Sequence, residues 1–232
     1  MADCISRLRE YVERIVTHKA LRKESNVGKV LILDAETTQV VANVFSQTNI
    51  LNEEFYLVEQ IGANHEAMPH LKAAVFVRPT QANVNILARE LENPQFKEYH
   101  LFFSNVLSEN MLQHLAQADE HEVVKQVQEY YADVVAINED LFTLNIHGDL
   151  RLSAPRASFT PDILSNLERT VQGICSVLLA MKMEPSHIRF QGASQVRVNY
   201  SAGGSRAFHS PSCSVNFPPF PFPWKDGTQG RR

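Results

Sequence analysis

The sequence predicts an α/β protein built on a doubly wound, flavodoxin-like parallel sheet of five strands. Five short and nearly continuous apolar runs are typical of parallel strands that are covered on both faces. Helical patterns lie between these runs, and alternating strands and helices favour right-handed crossovers into one sheet. The composition, with 44% hydrophobic and 21% charged residues and a net charge of −4, is that of an ordinary globular protein.

The elements follow in order along the chain. An amphipathic helix comes first, because Ile5, Leu8, Val12 and Ile15 recur at helical spacing. The predicted strands are residues 30–33, 55–58, 73–77, 100–103 and 133–137. The predicted helices between them carry Val40, Val41 and Val44; Val84, Leu87 and Leu91; Leu107, Met111, Leu112 and Leu115; and Val123, Val124, Val127, Tyr130 and Tyr131.

The domain organisation is predicted from shifts in composition. Residues 1–140 form the α/β domain, and residues 141–191 begin a second α/β domain, with an extra strand at 141–146 and a long helix over 163–183 that ends before Pro185. A further strand is expected at residues 187–190. Residues 192–232 are rich in Ser, Gly and Pro without a sustained period, so we expect a disordered tail.

Motifs for catalysis are absent from the sequence. It has no GxGxxG, GxxxxGK[ST], GxSxG or HExxH pattern. Cys4, Cys175 and Cys213 form no CxxC pair, and the nine histidines form no spaced ligand set, so we expect no metal and no cofactor. Cys175 is expected to lie in the core.

Several classes of partner are also excluded. The net charge gives no basic surface for nucleic acid, and no apolar run reaches the roughly 18 to 20 residues of a membrane span. We therefore predict a cytosolic protein.

The ends of two predicted strands are candidate sites. Asp34 follows the first strand, where a phosphoreceiver would keep an acidic residue, but no phosphorylatable aspartate follows the third strand. A helix N-cap or a surface acid is the better interpretation of Asp34. After the third strand, Pro79 stiffens the exit and Thr80 can cap the next helix, so we assign this corner no chemistry.

The segment 104–138 has more apolar residues than one buried helical face explains. Two interpretations remain open: packing against the sheet, or a groove that accepts a short apolar peptide. The residues concerned are Met111, Leu112, Leu115, Val127, Tyr130 and Tyr131.

Four long stretches carry a family resemblance. They are "KVLILDAETTQVVANVFSQTNILNEEFYLVEQI", "HLKAAVFVRPTQANV", "EYHLFFSNVLSENMLQHLAQADEHEVVKQVQEYYADVVAINEDLFTLNI" and "ERTVQGICSVLLAMKMEPSHIRFQ". Together they resemble the N-terminal part of the Sec-one/Munc-eighteen (SM) family of SNARE regulators. The resemblance runs from about residue 30 to residue 191.

The resemblance implies a non-enzymatic regulator of vesicle-mediated transport and membrane fusion that binds a syntaxin-type SNARE. A peripheral association with trans-Golgi network and endosomal membranes, through the SNARE and without membrane insertion, is also implied. The family docks the N-terminal SNARE peptide in an apolar pocket, which corresponds here to Val106, Leu112, Leu115, Val127 and Tyr130. Its central cavity grips the SNARE with charged residues, which correspond here to Asp34, Glu53 and Glu54.

The length of the chain departs from the family. SM proteins continue through the rest of a second domain and a third, helical one, whereas this chain ends at residue 232. We expect a truncated or alternatively spliced product whose tail is unrelated to the family. The alternatives to SNARE binding are an inactive fragment and a flavodoxin-like phosphoreceiver or enzyme that uses Asp34.

Overall fold

The computed structural model describes residues 4–18, 21, 27–63, 66–146 and 161–183. The elements in these ranges are α1 (Cys4–Val16), β1 (Lys29–Leu33), α2 (Ala35–Val44), α3 (Gln47–Asn52), β2 (Phe55–Gln60), β3 (Met68–Val77), α4 (Gln81–Glu92), β4 (Phe96–Phe103), α5 (Glu109–Ala118), β5 (Val124–Glu129), β6 (Val135–Asn138), β7 (Leu141–Thr143) and α6 (Pro161–Ala180).

The main sheet has five parallel strands in the order β2-β1-β3-β4-β5. This is the flavodoxin-like order, in which the switch point lies between β1 and β3. The predicted fold class and the first four predicted strands are confirmed. β2 and β5 are the two edge strands, so each has one side without a strand partner in the described sheet.

The fifth strand was wrongly predicted. It is β5, inside the segment that the sequence analysis assigned to a helix because Val124 and Val127 are three residues apart. A register shift between Tyr99 and His100 explains the spacing, because Val124 pairs with Tyr99 and Val127 with Leu101. An extra residue in one strand places side chains three apart on the same face, which imitates a helical period.

Residues 133–137, predicted as the fifth strand, belong elsewhere. β6 (Val135–Asn138) pairs with β7 in a separate antiparallel sheet of two strands. The extra strand predicted at 141–146 is therefore present, but it ends at Thr143. β5 occupies the edge of the main sheet, so β6 cannot pair with β4.

Two hydrophobic clusters cover the two faces of the sheet, because successive side chains of a strand point to opposite faces. Leu31 and Leu33 face the first cluster with α1 and α2, whereas Val30 and Ile32 face the second cluster with α4 and α5. The predicted helices α1, α2, α4 and α5 are confirmed. The sheet is therefore doubly wound, with helices packed on each face.

The chain divides into two compact units. The first is Met1–Asp149 with Arg169–Pro185, and the second is Leu150–Glu168 with Ser186–Arg232. In the first unit, residues 169–180 of α6 share one compact body with the sheet. In the second, the described part is the beginning of α6, residues 161–168.

Several predictions fall at the limits of the described residues. Cys4 is buried and Cys175 is half-buried, and burial raises the pKa of the Cys175 thiol. Cys213, Pro185, the strand expected at 187–190 and the tail from 192 lie outside the described residues.

Candidate functional site

Three large apolar side chains are exposed around α5 and β5. Val106 is 39% exposed, Leu112 44% and Val127 40%. They lie in the segment before α5, on α5 and on the edge strand β5. We call Val106, Leu112 and Val127 the α5–β5 surface. An apolar surface beside an open strand edge is a setting in which proteins accept short peptides.

Local sequence places α5 with Leu112 pointing outward. The Ser108 side chain caps the helix by accepting a hydrogen bond from the Met111 N–H at 3.3 Å. Leu115 lies about one turn and Ala118 nearly two turns further along the helix, and both are buried in the second hydrophobic cluster. With these two residues anchoring the helix, Leu112 remains at the surface.

A half-buried carboxylate, that of Glu129, joins the segment before α5 to the end of β5. Glu129 Oε1 accepts a hydrogen bond from the Leu107 N–H at 2.7 Å. Burial raises the pKa of Glu129, and this hydrogen bond partly opposes the rise. Glu129 and Val127 lie two residues apart on β5, so both face the side of the sheet that α5 covers. Sequence reasoning missed Glu129 because its partner is a backbone N–H from a distant loop.

The remaining two residues predicted for the peptide pocket are core residues here. Leu115 is 3% exposed in the second cluster, whereas Tyr130 is 4% exposed in the first. The Tyr130 ring packs against Phe102 and Tyr11, with centroids 5.9 and 5.7 Å apart. Leu115 and Tyr130 therefore lie on opposite faces of the sheet, and their roles in binding stay predictions.

The residues predicted for the second SNARE contact are also separated. Asp34 follows the carboxyl end of β1, whereas Glu53 and Glu54 precede the amino end of the parallel strand β2. The side chain of Glu54 is 67% exposed and lies 3.9 Å from Lys29 Nζ. Parallel strands begin at the same edge, so these carboxylates lie at opposite ends of the sheet.

Asp34 serves as an N-cap and as a cross-link. Its Oδ1 accepts hydrogen bonds from the Thr37 N–H at 2.7 Å and the Thr37 hydroxyl at 2.9 Å. Its Oδ2 accepts from the Arg78 N–H and the Asn83 side chain, both at 2.7 Å. The predicted capping role is confirmed, as is that of Thr80, which accepts from the Asn83 N–H.

These hydrogen bonds bear on the phosphoreceiver alternative. Asp34 is only 7% exposed, and both of its carboxylate oxygens are engaged. A phosphate acceptor or magnesium ligand needs an accessible oxygen. Across the residues that the structure describes, no three His, Cys, Asp or Glu residues are grouped to hold a metal ion.

A buried ionic network at the carboxyl edge escaped the sequence analysis. Asp133 is 3% exposed, and its Oδ2 accepts from Arg169 Nη1 at 3.0 Å and from Asn105 at 2.8 Å. Arg78 Nε lies 3.2 Å from the other oxygen. The Asp133 N–H donates to the Ser176 hydroxyl at 3.2 Å. The residues of this ionic network lie up to about 100 positions apart in the sequence, so no local sequence pattern could reveal it.

Comparison with known proteins identifies the family of this chain. The profile of the Sec1 family matches residues 29–211. The chain belongs to the Sec1 family. The match reaches into the segment 192–232, which the sequence analysis expected to be unrelated to the family.

Several curated relatives of this Sec1-family chain share one name. The chain is 40% identical over 183 residues to vacuolar protein sorting-associated protein 45 of Dictyostelium discoideum, covering 79% of this chain and 30% of the relative. The human protein of that name is 40% identical over 190 residues, covering 81% of this chain and 31% of its own. The chain thus spans about a third of the length of these relatives.

Solved structures agree with the family. The structure of the SM protein Vps45 has 41% sequence identity and a TM-score of 0.69, covering 79% of this chain and 34% of its own. A structure of Vps45 in complex with the Qa SNARE Tlg2 (1-310) has 40% identity and a TM-score of 0.68, covering 78% of this chain and 32% of its own. No helix in the described part of this Sec1-family chain is long and apolar enough to cross a membrane.

Proposed function

We propose that this chain binds the N-terminal peptide of a syntaxin-type Qa SNARE through the α5–β5 surface. The observation that carries the proposal is the group of exposed apolar side chains beside an edge strand, in a chain 40% identical to a Vps45 that was solved with a Qa SNARE. An amphipathic or extended peptide can bury its apolar side chains there.

The wider role follows from the family. We propose a non-enzymatic regulator of vesicle-mediated transport that works in the cytoplasm and reaches trans-Golgi network and endosomal membranes through its SNARE partner. The relatives named for vacuolar protein sorting support this role. The proposal for this chain concerns peptide docking, since the chain covers about a third of those relatives.

A second contact is proposed at the amino end of β2. Glu54 is the best placed of the predicted cavity residues because its side chain is 67% exposed, whereas Asp34 is buried. An acidic residue at this position would suit a basic side chain of the SNARE helices. Replacing Glu54 by lysine should weaken binding of a SNARE helical domain and leave binding of the N-terminal peptide unchanged.

Peptide docking can be tested by fluorescence anisotropy with a labelled N-terminal peptide of a Qa SNARE and the full chain. Saturable binding is expected. Leu112→Arg should weaken it more than about tenfold, because an arginine in an apolar contact must be desolvated. Leu51→Arg is the matched control, because Leu51 is 50% exposed on α3, at the other edge of the sheet.

Two outcomes would contradict the proposal. One is a folded wild-type chain, verified by circular dichroism, that shows no saturable peptide binding. The other is a Leu112→Arg variant that keeps the affinity of the Leu51→Arg control.

A further inference from the structure

Two histidines meet on the face of the sheet that α1 covers. His18 follows the end of α1 and His100 lies on β4, with ring centroids 6.4 Å apart. The His18 ring also packs on Phe102 at 5.6 Å. His100 is 1% exposed, and neither of its ring nitrogens has a hydrogen-bond partner among the described residues. Glu98 and Gln126 are the groups that can partly offset a proton on that ring.

The charged groups around His100 are already engaged with each other. Glu98 Oε2 is 3.8 Å from His100 Nε2, but the same oxygen lies 3.4 Å from the Nζ of Lys72, which is 2% exposed. On β5, the Gln126 amide nitrogen is 3.1 Å from His18 Nε2. If His100 were protonated, the Glu98 carboxylate would have to balance two cations, Lys72 and His100. The new positive charge would also lie beside the His18 ring.

The pKa values of His100 and His18 are both lowered in the folded protein. Burial lowers the pKa of His100; Glu98 and Gln126 oppose this, whereas His18 and Lys72 lower it further. Burial also lowers the pKa of His18. A histidine whose folded pKa lies below its unfolded value of 6.5 favours the folded state above 6.5, and this contribution is lost as the pH falls towards the lowered value.

We propose that His18 and His100 form an acid-sensitive latch that holds the end of α1 and the edge strand β5 together on the sheet. Above the unfolded pKa the rings are neutral, so His18 packs on Phe102 and contacts Gln126. β4 is hydrogen-bonded on both sides, to β3 and β5, whereas β5 has one strand neighbour in the described sheet. α1 is held by the packing of its apolar face in the first cluster. Acid therefore loosens the end of α1 and β5 before it loosens the centre of the sheet.

The latch can be tested by amide hydrogen exchange on the full chain at about pH 7.5 and about pH 5.5, corrected for intrinsic exchange rates. Protection near the end of α1 and in β5, relative to β3, should fall roughly threefold or more in acid. His100→Gln should reduce this fall clearly, because glutamine does not titrate and His18 alone would remain to take up a proton. His114→Gln is the control, since His114 is exposed on α5, and should behave like the wild type.

The proposal is overturned if wild-type protection of α1 and β5 relative to β3 does not change with pH, or if His100→Gln keeps the full acid-dependent fall. Should His100→Gln fail to fold, NMR titration of the ring signals of the unmodified chain decides the matter. His100 titrating below the value of free histidine supports the latch, and titration at or above that value overturns it.

Discussion

Arg169 Nη1 donates a hydrogen bond to the Asp133 carboxylate at 3.0 Å, in a position where Asp133 is 3% exposed. Burial raises the pKa of Asp133, and the guanidiniums of Arg169 and Arg78 oppose this rise. Burial likewise lowers the pKa of Arg169. Each charge is tolerated inside the protein because the other is present. The pair thus fixes the part of α6 from Arg169 onward against the carboxyl edge of the sheet.

Replacing Arg169 by methionine should destabilise the protein by about 3 to 5 kcal/mol, because Asp133 would stay buried with one guanidinium fewer. Urea unfolding followed by circular dichroism measures the loss. Arg14→Met is the control, because Arg14 is 58% exposed in its pair with Glu10 and should cost less than about 1 kcal/mol. Equal stability losses in the two variants would contradict a structural role for the buried pair.

Asp34→Ala should cost more than an ordinary helix cap. The substitution removes the cap of α2, leaves the Arg78 N–H without the acceptor that Asp34 supplies, and leaves the Asn83 amide only its hydrogen bond to the Arg78 carbonyl. We expect a loss of about 2 to 4 kcal/mol in the free energy of unfolding. Ser46→Ala, which removes the exposed cap of α3, should cost about 1 kcal/mol or less. An Asp34→Ala loss no larger than that of Ser46→Ala would mean that the cross-links contribute little.

Glu129→Gln should alter how stability depends on pH. Because burial raises the folded pKa of Glu129, ionisation disfavours the folded state as the pH rises through that pKa. Glutamine can still accept the Leu107 N–H but does not ionise. The wild type should therefore lose stability relative to Glu129→Gln between about pH 4.5 and neutral pH, as measured by urea unfolding at several pH values. Parallel pH profiles of the two proteins would refute this.

Substitutions at Tyr130 and Val127 should have different effects on stability and on peptide binding. Tyr130→Ala removes a buried ring from the first cluster and should cost about 3 to 5 kcal/mol. The Val127 side chain is 40% exposed. Val127→Ala should therefore lower the free energy of unfolding by less than about 1 kcal/mol, yet weaken binding of the SNARE peptide. Thermal unfolding and anisotropy titration, made on the same preparations, measure the two effects. If Val127→Ala binds like the wild type, Val127 is outside the docking surface.

Much of the fold could be predicted because its signals are local. The apolar runs of β1 to β4, the helical periods of α1, α2 and α4, and the caps at Asp34 and Thr80 each depend on residues within a few positions of one another. Side-chain periodicity and cap chemistry are set by the backbone conformation itself. The alternation of these strands and helices also predicts right-handed crossovers and a doubly wound sheet.

The candidate site was only partly predictable for a different reason. Val106, Leu112 and Val127 were named from a family resemblance, and the structure leaves all three exposed near α5 and β5. Periodicity could not separate them from Leu115 and Tyr130, since an exposed and a buried apolar residue look alike in a sequence.

Tertiary structure decided what depends on contacts between distant segments. The sequence by itself determined the first four strands, most helices and their caps, because those follow from neighbouring residues. Only the folded chain decided that 124–129 forms the fifth strand, through its bulged register with β4. Only the folded chain likewise brought Asp133 to Arg78 and Arg169, because the cost of burying one charge is met by partners brought in from elsewhere in the chain.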